Sequence, residues 1–331
     1  MSYVLLLSSF AVLLAGALLF TNAVEWLGHR LELGQGAVGS VLAAVATALP
    51  ESLIPVVAVL GGEEGSDDVA VGAIVGAPFL LATIAMALVG TSAFLYRRRR
   101  PQGLALDAHL PTLRRDLVFF LVFFTIGVLL GLGAPEGLQY VAAVGLVVAY
   151  IAYVAWTIRS SGAVQEEETL NPLILDMTRG DPPTNSTVAL QLVVALGAIV
   201  GGAHLFVHEV LSISDSLGVP PLVLALVLAP LATELPEKAN SFFWIREGKD
   251  SLALGNITGA MVFQSMLPVA IGLAFTDWEL TGFSILAAAL AVAGGLIAIW
   301  SLQYRRLFAA PAVALWAALW LVFLIAAIVG G

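Results

Sequence analysis

Ten long apolar stretches, almost free of charge, constrain the fold of this chain more than any other feature. They are Tyr3–Trp26, Gly36–Leu60, Val69–Leu95, Leu117–Leu132, Leu138–Ile158, Val188–Leu211, Pro221–Trp244, Leu252–Phe275, Leu280–Ser301 and Ala309–Ile328. A helix needs about 20 mostly apolar residues to cross the hydrocarbon core of a bilayer. Backbone polar groups in lipid must be satisfied within the protein, so such stretches are expected to form helices. The pattern therefore predicts an all-α polytopic membrane protein. Hydrophobic residues make up 60% of the chain and charged residues 11%, against about 45–50% and about 25% in soluble domains. The chain has no cysteine, which excludes disulfides and thiolate metal sites. No basic residue precedes the run Val4–Phe20, so it reads as a retained first span rather than a cleaved signal peptide.

The basic residues set an orientation. With ten spans, Arg30, Arg97–Arg100, Arg114, Arg115, Arg159, Arg179, Arg246, Lys249, Arg305 and Arg306 fall in loops on one face, and only Lys238 lies within a span. Lys and Arg gather on the cytoplasmic side. Both termini are therefore expected outside the cytoplasm, in a multi-pass protein of the plasma membrane. On the other face, the loop GGEEGSDD (Gly61–Asp68) is either a solvated loop or a device that raises cation concentration at an entrance. The polar segment Arg159–Thr187, at the midpoint, contains Pro172, Pro182 and Pro183 and reads as a cytoplasmic linker. It separates residues 1–158 from residues 188–331.

The two halves repeat. The stretch AVATALPES pairs with APLATELPEK, and DDVAVGAIVGAPF pairs with DSLALGNITGAMVF, in the same order. More loosely, TNAVEWLGHRLELG pairs with FVHEVLSISDSLG, placing Glu25 opposite Glu209. Each copy belongs to five spans, and an odd number inverts the second half relative to the first. Inverted repeats with interrupted helices mark secondary transporters, with the ion site near the bilayer midplane. Pro50 and Pro236 are expected to break the second and seventh spans.

The repeated motifs suit a cation. Carbonyls freed by the prolines and neighbouring carboxylates are hard oxygen ligands of the kind calcium and sodium favour. Thr47 and Glu51, and likewise Thr233 and Glu237, stand one helical turn apart and share a face. Asn256 and Gln264 share a face of the eighth span. Gly72, Gly76, Gly255 and Gly259 form small-xxx-small patterns that let helices pack closely. Glu51 has no basic residue within the first-half spans, and an unpaired carboxylate in a membrane marks a functional position. Glu234 has Lys238 at i+4 in the favourable order, so structural pairing and ion handling both stand. His204 and His208 read as a satisfied pair near the membrane surface, with proton sensing the lesser alternative.

At these repeats the sequence resembles the cation/calcium antiporter superfamily, which includes the sodium/calcium exchangers. That family carries G-T-S-x-P-E followed by G-N-x-x-G-S-N-x-x-N or a close variant. The matching stretches are ATALPE (Ala46–Glu51), ATELPE (Ala232–Glu237), GAIVGAPFLL (Gly72–Leu81) and GNITGAMVFQ (Gly255–Gln264). GAHLFV resembles the family's G-A-D-L-F-V, with His204 in place of the acid. The resemblance implies ten spans in two inverted five-helix halves, with Glu51 and Glu237 as central cation ligands and Thr47 and Thr233 contributing oxygens. With Glu234, Gln264, Asn256, and the motif alanines Ala46 and Ala232, these form the candidate metal-ligand set. The chain departs from the family at Leu81, Ala77, Pro78, Ala48 and Ala260, which lack the usual oxygens, and at Glu234, which adds a carboxylate.

The resulting expectation is a secondary-active antiporter exchanging calcium, or a similar divalent cation, against sodium by alternating access. Exchange against protons is the first alternative. No covalent cofactor is expected. The partners are inorganic cations and the lipid bilayer, with no nucleic acid. A channel, a non-transporting cation sensor and an intramembrane enzyme are the rivals; the enzyme lacks a nucleophile or a complete metal motif in the sequence.

Overall fold

The computed structural model describes residues 2–30, 51–160, 170–176, 182–303 and 309–330, apart from the side chains of residues 160 and 235–237. Within these residues every regular element is helical. The order is α1 (Ser2–Arg30), α2 (Glu51–Gly61), α3 (Ser66–Leu80), a π-helical turn (Leu81–Ala85), α4 (Met86–Tyr96), α5 (Leu110–Leu130), α6 (Glu136–Ser160), α7 (Asn185–Leu217), α8 (Pro221–Arg246), α9 (Asp250–Phe275), α10 (Gly282–Gln303) and α11 (Ala310–Gly330).

Among the described residues, seven spans are long and apolar enough to cross a membrane: α1, the continuous α3–α4 unit, α6, α7, α9, α10 and α11. The expected fourth and seventh spans are present as α5 and α8, whose charged residues dilute their apolar character. Of the expected second span, only the end appears as α2, because residues 31–50 lie outside the described residues.

One expectation is corrected. The seventh span is not interrupted at Pro236: α8 is helical from Pro221 to Arg246. Proline removes a single N–H, which leaves the Ala232 carbonyl without its i+4 donor. Inside a helix bundle such a loss is tolerated without unwinding. Pro78 and Pro268 likewise sit within continuous helix.

The helices are graded from centre to periphery. In the α3–α4 unit 94% of the apolar window is buried, against 17% in α6. The outer faces of α6 and α11 expose Val141, Val144, Val148 and Ile151, and Leu321, Ile325 and Ile328. Such contiguous apolar surface fits lipid and not water. Around this gradient α5 and α6 pack on α9, while α10 packs on α3 and α11 on α4.

Close backbone approach holds the centre together. A methyl group at Gly72 would come within 2.6 Å of the Leu222 carbonyl oxygen. At Gly76 it would meet the Leu226 carbonyl. Pro230, four residues further along α8, has no N–H to offer that carbonyl, so the bare glycine approaches an acceptor its own helix leaves open. The small-xxx-small reading of Gly72 and Gly76 therefore holds. A methyl added at Gly255 or Gly259 would meet nothing within 4 Å among the described residues.

Helix α1 runs antiparallel to α7. Ser2 and Ser212 pair through their hydroxyls at one end (3.2 Å), and Gln191 donates to Asn22 Oδ1 at the other (2.9 Å). Helix α7 begins where Thr184 Oγ1 accepts from the Thr187 N–H, and ends at Gly218, whose φ of 67° suits glycine. Segment 170–176 of the linker lies against the same end of the pair. Ile174 N–H donates to Asn22, Leu175 N–H donates to Gln191, and the Trp26 indole donates to the Asn171 carbonyl.

Candidate cation site

Three helices deliver polar side chains to one buried point. Glu51 opens α2, Glu234 and Lys238 sit one turn apart on α8, and Gln264 lies within α9. The single amide nitrogen of Gln264 donates to Glu51 Oε2 at 2.5 Å and to Glu234 Oε1 at 2.9 Å. Lys238 Nζ stands 3.3 Å from Glu234 Oε2. Glu234 is 0% exposed, Lys238 1%, Gln264 1% and Glu51 8%. The α8 pair at i,i+4 follows directly from the sequence spacing, whereas the bridge from α2 to α8 exists only in the fold.

The remaining candidates are distributed unevenly. Thr233 is buried, and its hydroxyl donates back to the Ala229 carbonyl at 3.1 Å. Ala232 is buried on the same helix, its carbonyl freed by Pro236. Asn256 is not brought to the cluster. It lies eight residues from Gln264, about 12 Å along α9, and its amide donates to Ser241 Oγ at 3.2 Å. Ala46 and Thr47 lie outside the described residues, as does the Glu237 side chain. His204 and His208 are both exposed, and His208 Nδ1 is 3.6 Å from Glu63. Leu81 is fully buried at the start of the π-turn, so this position supplies no side-chain oxygen.

Chemically, the cluster is a pair of carboxylates drawn together by an uncharged amide. A half-turn of the Gln264 amide exchanges its NH2 for its oxygen. Two carboxylates and a carbonyl then face one point, the donor set that hard cations favour. No group of three His, Cys, Asp or Glu residues converges among the described residues.

Two other buried polar clusters have only a faint signature in the sequence. Arg100 and Asp250 form a forked ion pair, with both nitrogen–oxygen distances 2.8 Å and both side chains fully buried. Asp250 also accepts from Gln102 and from the Asp107 N–H, while Arg100 donates to the Ile245 carbonyl. On α5, Asp116 accepts from Tyr153 (2.9 Å), Arg115 (2.9 Å) and Thr258 (3.0 Å), tying α5 to α6 and α9. Asp116 directly precedes the apolar run from Leu117, and an acid following two arginines at the mouth of a span is the available signal. Both clusters are satisfied internally and serve architecture.

With this geometry established, comparison with known proteins places the chain. The model of the sodium/calcium exchanger protein family matches residues 1–159 and 187–329. The chain belongs to the sodium/calcium exchanger family. Among relatives of this exchanger-family protein, the putative antiporter CaxA of Alkalimonas amylolytica is 24% identical over 259 residues, covering 76% of this chain and 74% of that one. Among solved structures, the H+/Ca2+ exchanger CAX superposes with a TM-score of 0.72 at 19% identity, covering 98% of this chain and 81% of that one. The sodium–calcium exchanger NCX_Mj gives 0.59 at 19% identity, covering 98% of each chain. These likenesses show the shared fold. The exchanger-family protein is a multi-pass membrane transport protein and not an enzyme.

Proposed function

We propose that this chain is a secondary-active antiporter of the plasma membrane, exchanging calcium or a similar divalent cation for sodium by alternating access. The observation that carries this reading is the convergence of Glu51 and Glu234, from α2 and α8, on the Gln264 amide in the buried interior. Burying two carboxylates at membrane depth is costly and is the mark of an ion pathway. Glu51, Glu234 and Gln264 hold the cation. Glu237, Thr47, Thr233 and the carbonyls of Ala46 and Ala232 complete its oxygen shell, while Asn256, paired with Ser241, stays outside it.

The chain is read as ten spans in two inverted halves, residues 1–158 and 188–331, joined by a cytoplasmic linker at 159–187. Three packing relations support this. Helices α5 and α6 pack on α9 as α10 and α11 pack on the α3–α4 unit, α5 meets α10, and α1 meets α7. Glu25 and Glu209, matched by the repeat, fall towards opposite ends of the α1–α7 pair, as inversion requires. Basic residues at the ends of α1, α6 and α8 support both termini lying outside the cytoplasm.

In the transport cycle the cation neutralises the carboxylates and the site seals. The α1–α7 pair then slides along the remaining helices, and the site opens to the opposite side. The counter-ion gradient supplies the energy. In proteoliposomes, Glu51→Gln and Glu237→Gln each abolish sodium-driven calcium flux while detergent-solubilised protein keeps its unfolding temperature. Wild-type flux in both variants would falsify the reading. The second reading, protons in place of sodium, is favoured by the buried Leu81, where the family supplies an oxygen. Flux driven by an imposed proton gradient without sodium distinguishes it.

A further inference from the structure

We propose that the Lys238 ammonium is a resident cation of the transport site, a tethered charge that takes the place of one mobile monovalent ion in each exchange cycle. The inference rests on the antiporter reading and concerns how many ions that site takes.

Contacts on α8 and α9 define the arrangement. Lys238 Nζ faces one oxygen of Glu234, whose other oxygen shares the Gln264 amide nitrogen with Glu51. The ammonium is thus joined to both carboxylates through a short chain of contacts, in a region where its exposure is 1%. A charged lysine at membrane depth is rare and costly, and it persists where it compensates an opposite charge.

The manner of pairing separates this lysine from the structural ion pair of the same molecule. Arg100 grips Asp250 with two bonds of 2.8 Å, and the remaining valences of Asp250 go to Gln102 and a backbone N–H. Glu234 Oε2 instead meets Lys238 at 3.3 Å and, among the described residues, accepts no well-aligned hydrogen bond, although it is buried. An oxygen held loosely by an ammonium keeps lone pairs for a second cation. The amine is also the flexible, compact cation of the two basic side chains, closer to a monovalent ion than the planar guanidinium.

The charges of the site set the ion count. Glu51, Glu234 and, in the proposed oxygen shell, Glu237 each bring a negative charge, and Lys238 offsets one of the three. A site sealed within a membrane must approach neutrality, because an uncompensated buried charge is unfavourable. Lys238 is anchored one turn from Glu234 and cannot leave with the cargo, so every state of the cycle has one charge already met. Mobile ions compensate only the rest. Removing the ammonium adds one required monovalent ion, and removing the Glu234 charge subtracts one.

The test measures coupling in proteoliposomes whose membrane potential is clamped with potassium and valinomycin. The sodium gradient at which net calcium flux vanishes gives the number of monovalent ions per calcium; a parallel series uses proton gradients. Lys238→Met is expected to raise that number by about one, and Glu234→Gln to lower it by about one. An unchanged number in either active variant overturns the proposal. A variant inactive in flux is read by melting in detergent. Sodium then raises the unfolding temperature of Lys238→Met at lower concentration than wild type, by preferential binding to the folded state. Equal sodium responses overturn the proposal. If Lys238→Met fails to fold, the ratio in Glu234→Gln decides alone. Absence of any counter-ion-dependent calcium flux in wild-type vesicles would instead remove the antiporter reading, and this inference with it.

Discussion

The α1–α7 pair and the bundle of α3–α6 with α8–α11 are held by different forces. The pair meets its neighbours through apolar side chains. Leu6, Leu13, Phe20, Phe206, Val207 and Val210 belong to one buried cluster with Val69, Ala70, Ala73, Ala225 and Ala229. The bundle is pinned by directional contacts, namely the Arg100–Asp250 fork and the bonds from Arg115, Tyr153 and Thr258 to Asp116. In a bilayer, apolar contact between helices competes with equally apolar lipid. Exchanging one such contact for another along a helix therefore changes little energy. Shifting the bundle would strip buried charges of their partners. In the proposed transport cycle, this contrast favours the α1–α7 pair as the part that slides and the bundle around Gln264 as the part that stays.

The largest effect is expected at the ion pair. Arg100→Met leaves Asp250 buried without its charged partner, a change that typically costs about 3–5 kcal/mol. Thermal unfolding in detergent should show a greater loss for it than for any glycine or asparagine substitution below, and a near-native transition would break the contrast. A medium effect separates the two glycine contacts. Gly76→Ala drives a methyl against a backbone carbonyl that cannot yield, for a loss of about 1–3 kcal/mol. Gly16→Ala places its methyl 2.8 Å from the Ile199 Cγ1, a side-chain atom able to rotate away in part, and meets backbone only at 3.1 Å and 3.2 Å, at Ile199 N and Ala195 O. It should destabilise less than Gly76→Ala in the same melting assay; the reverse order would mean the α1–α7 contact is the stiffer one. The smallest effect is expected at Asn22→Ala, which removes the acceptor for the Ile174 N–H and Gln191. A hydrogen bond of this kind is worth about 0.5–1.5 kcal/mol, but the Gln191 amide keeps its bond to the Leu19 carbonyl and the loosened segment 170–176 can turn its N–H to water, so the loss stays local. Faster proteolysis of the midpoint linker, with little change in unfolding temperature, is the expected readout.

Much of this architecture is legible from residue spacing. Hydrophobic runs place most ends of the described helices closely, because helix length in lipid is set by bilayer thickness, but α5 begins at Leu110, well before its apolar run from Leu117, and α7 continues to Leu217, past its expected end at Leu211. The i,i+4 pairing of Glu234 and Lys238 is legible because it stays within one helix. Contacts between helices are not. That Gln264 reaches both Glu51 and Glu234, while Asn256 on the same face pairs with Ser241, depends on where α8 crosses α9. The continuity of α8 through Pro236 escapes a reading of the sequence because proline guarantees only the loss of one donor, and the surroundings decide whether the backbone opens. The role of Asp116 escapes it too, because its three partners come from its own neighbour in sequence and from two distant helices.

The hydrogen bonds around Asn22 and Gln191 make segment 170–176 a clasp. It lies between α6 and α7 in the chain, yet it is bonded to both α1 and α7. A nick anywhere in residues 161–169 would leave the clasp attached to the second fragment and still closed over the first. The two fragments, produced as separate polypeptides, thus carry their own means of finding each other and reassembling in a membrane.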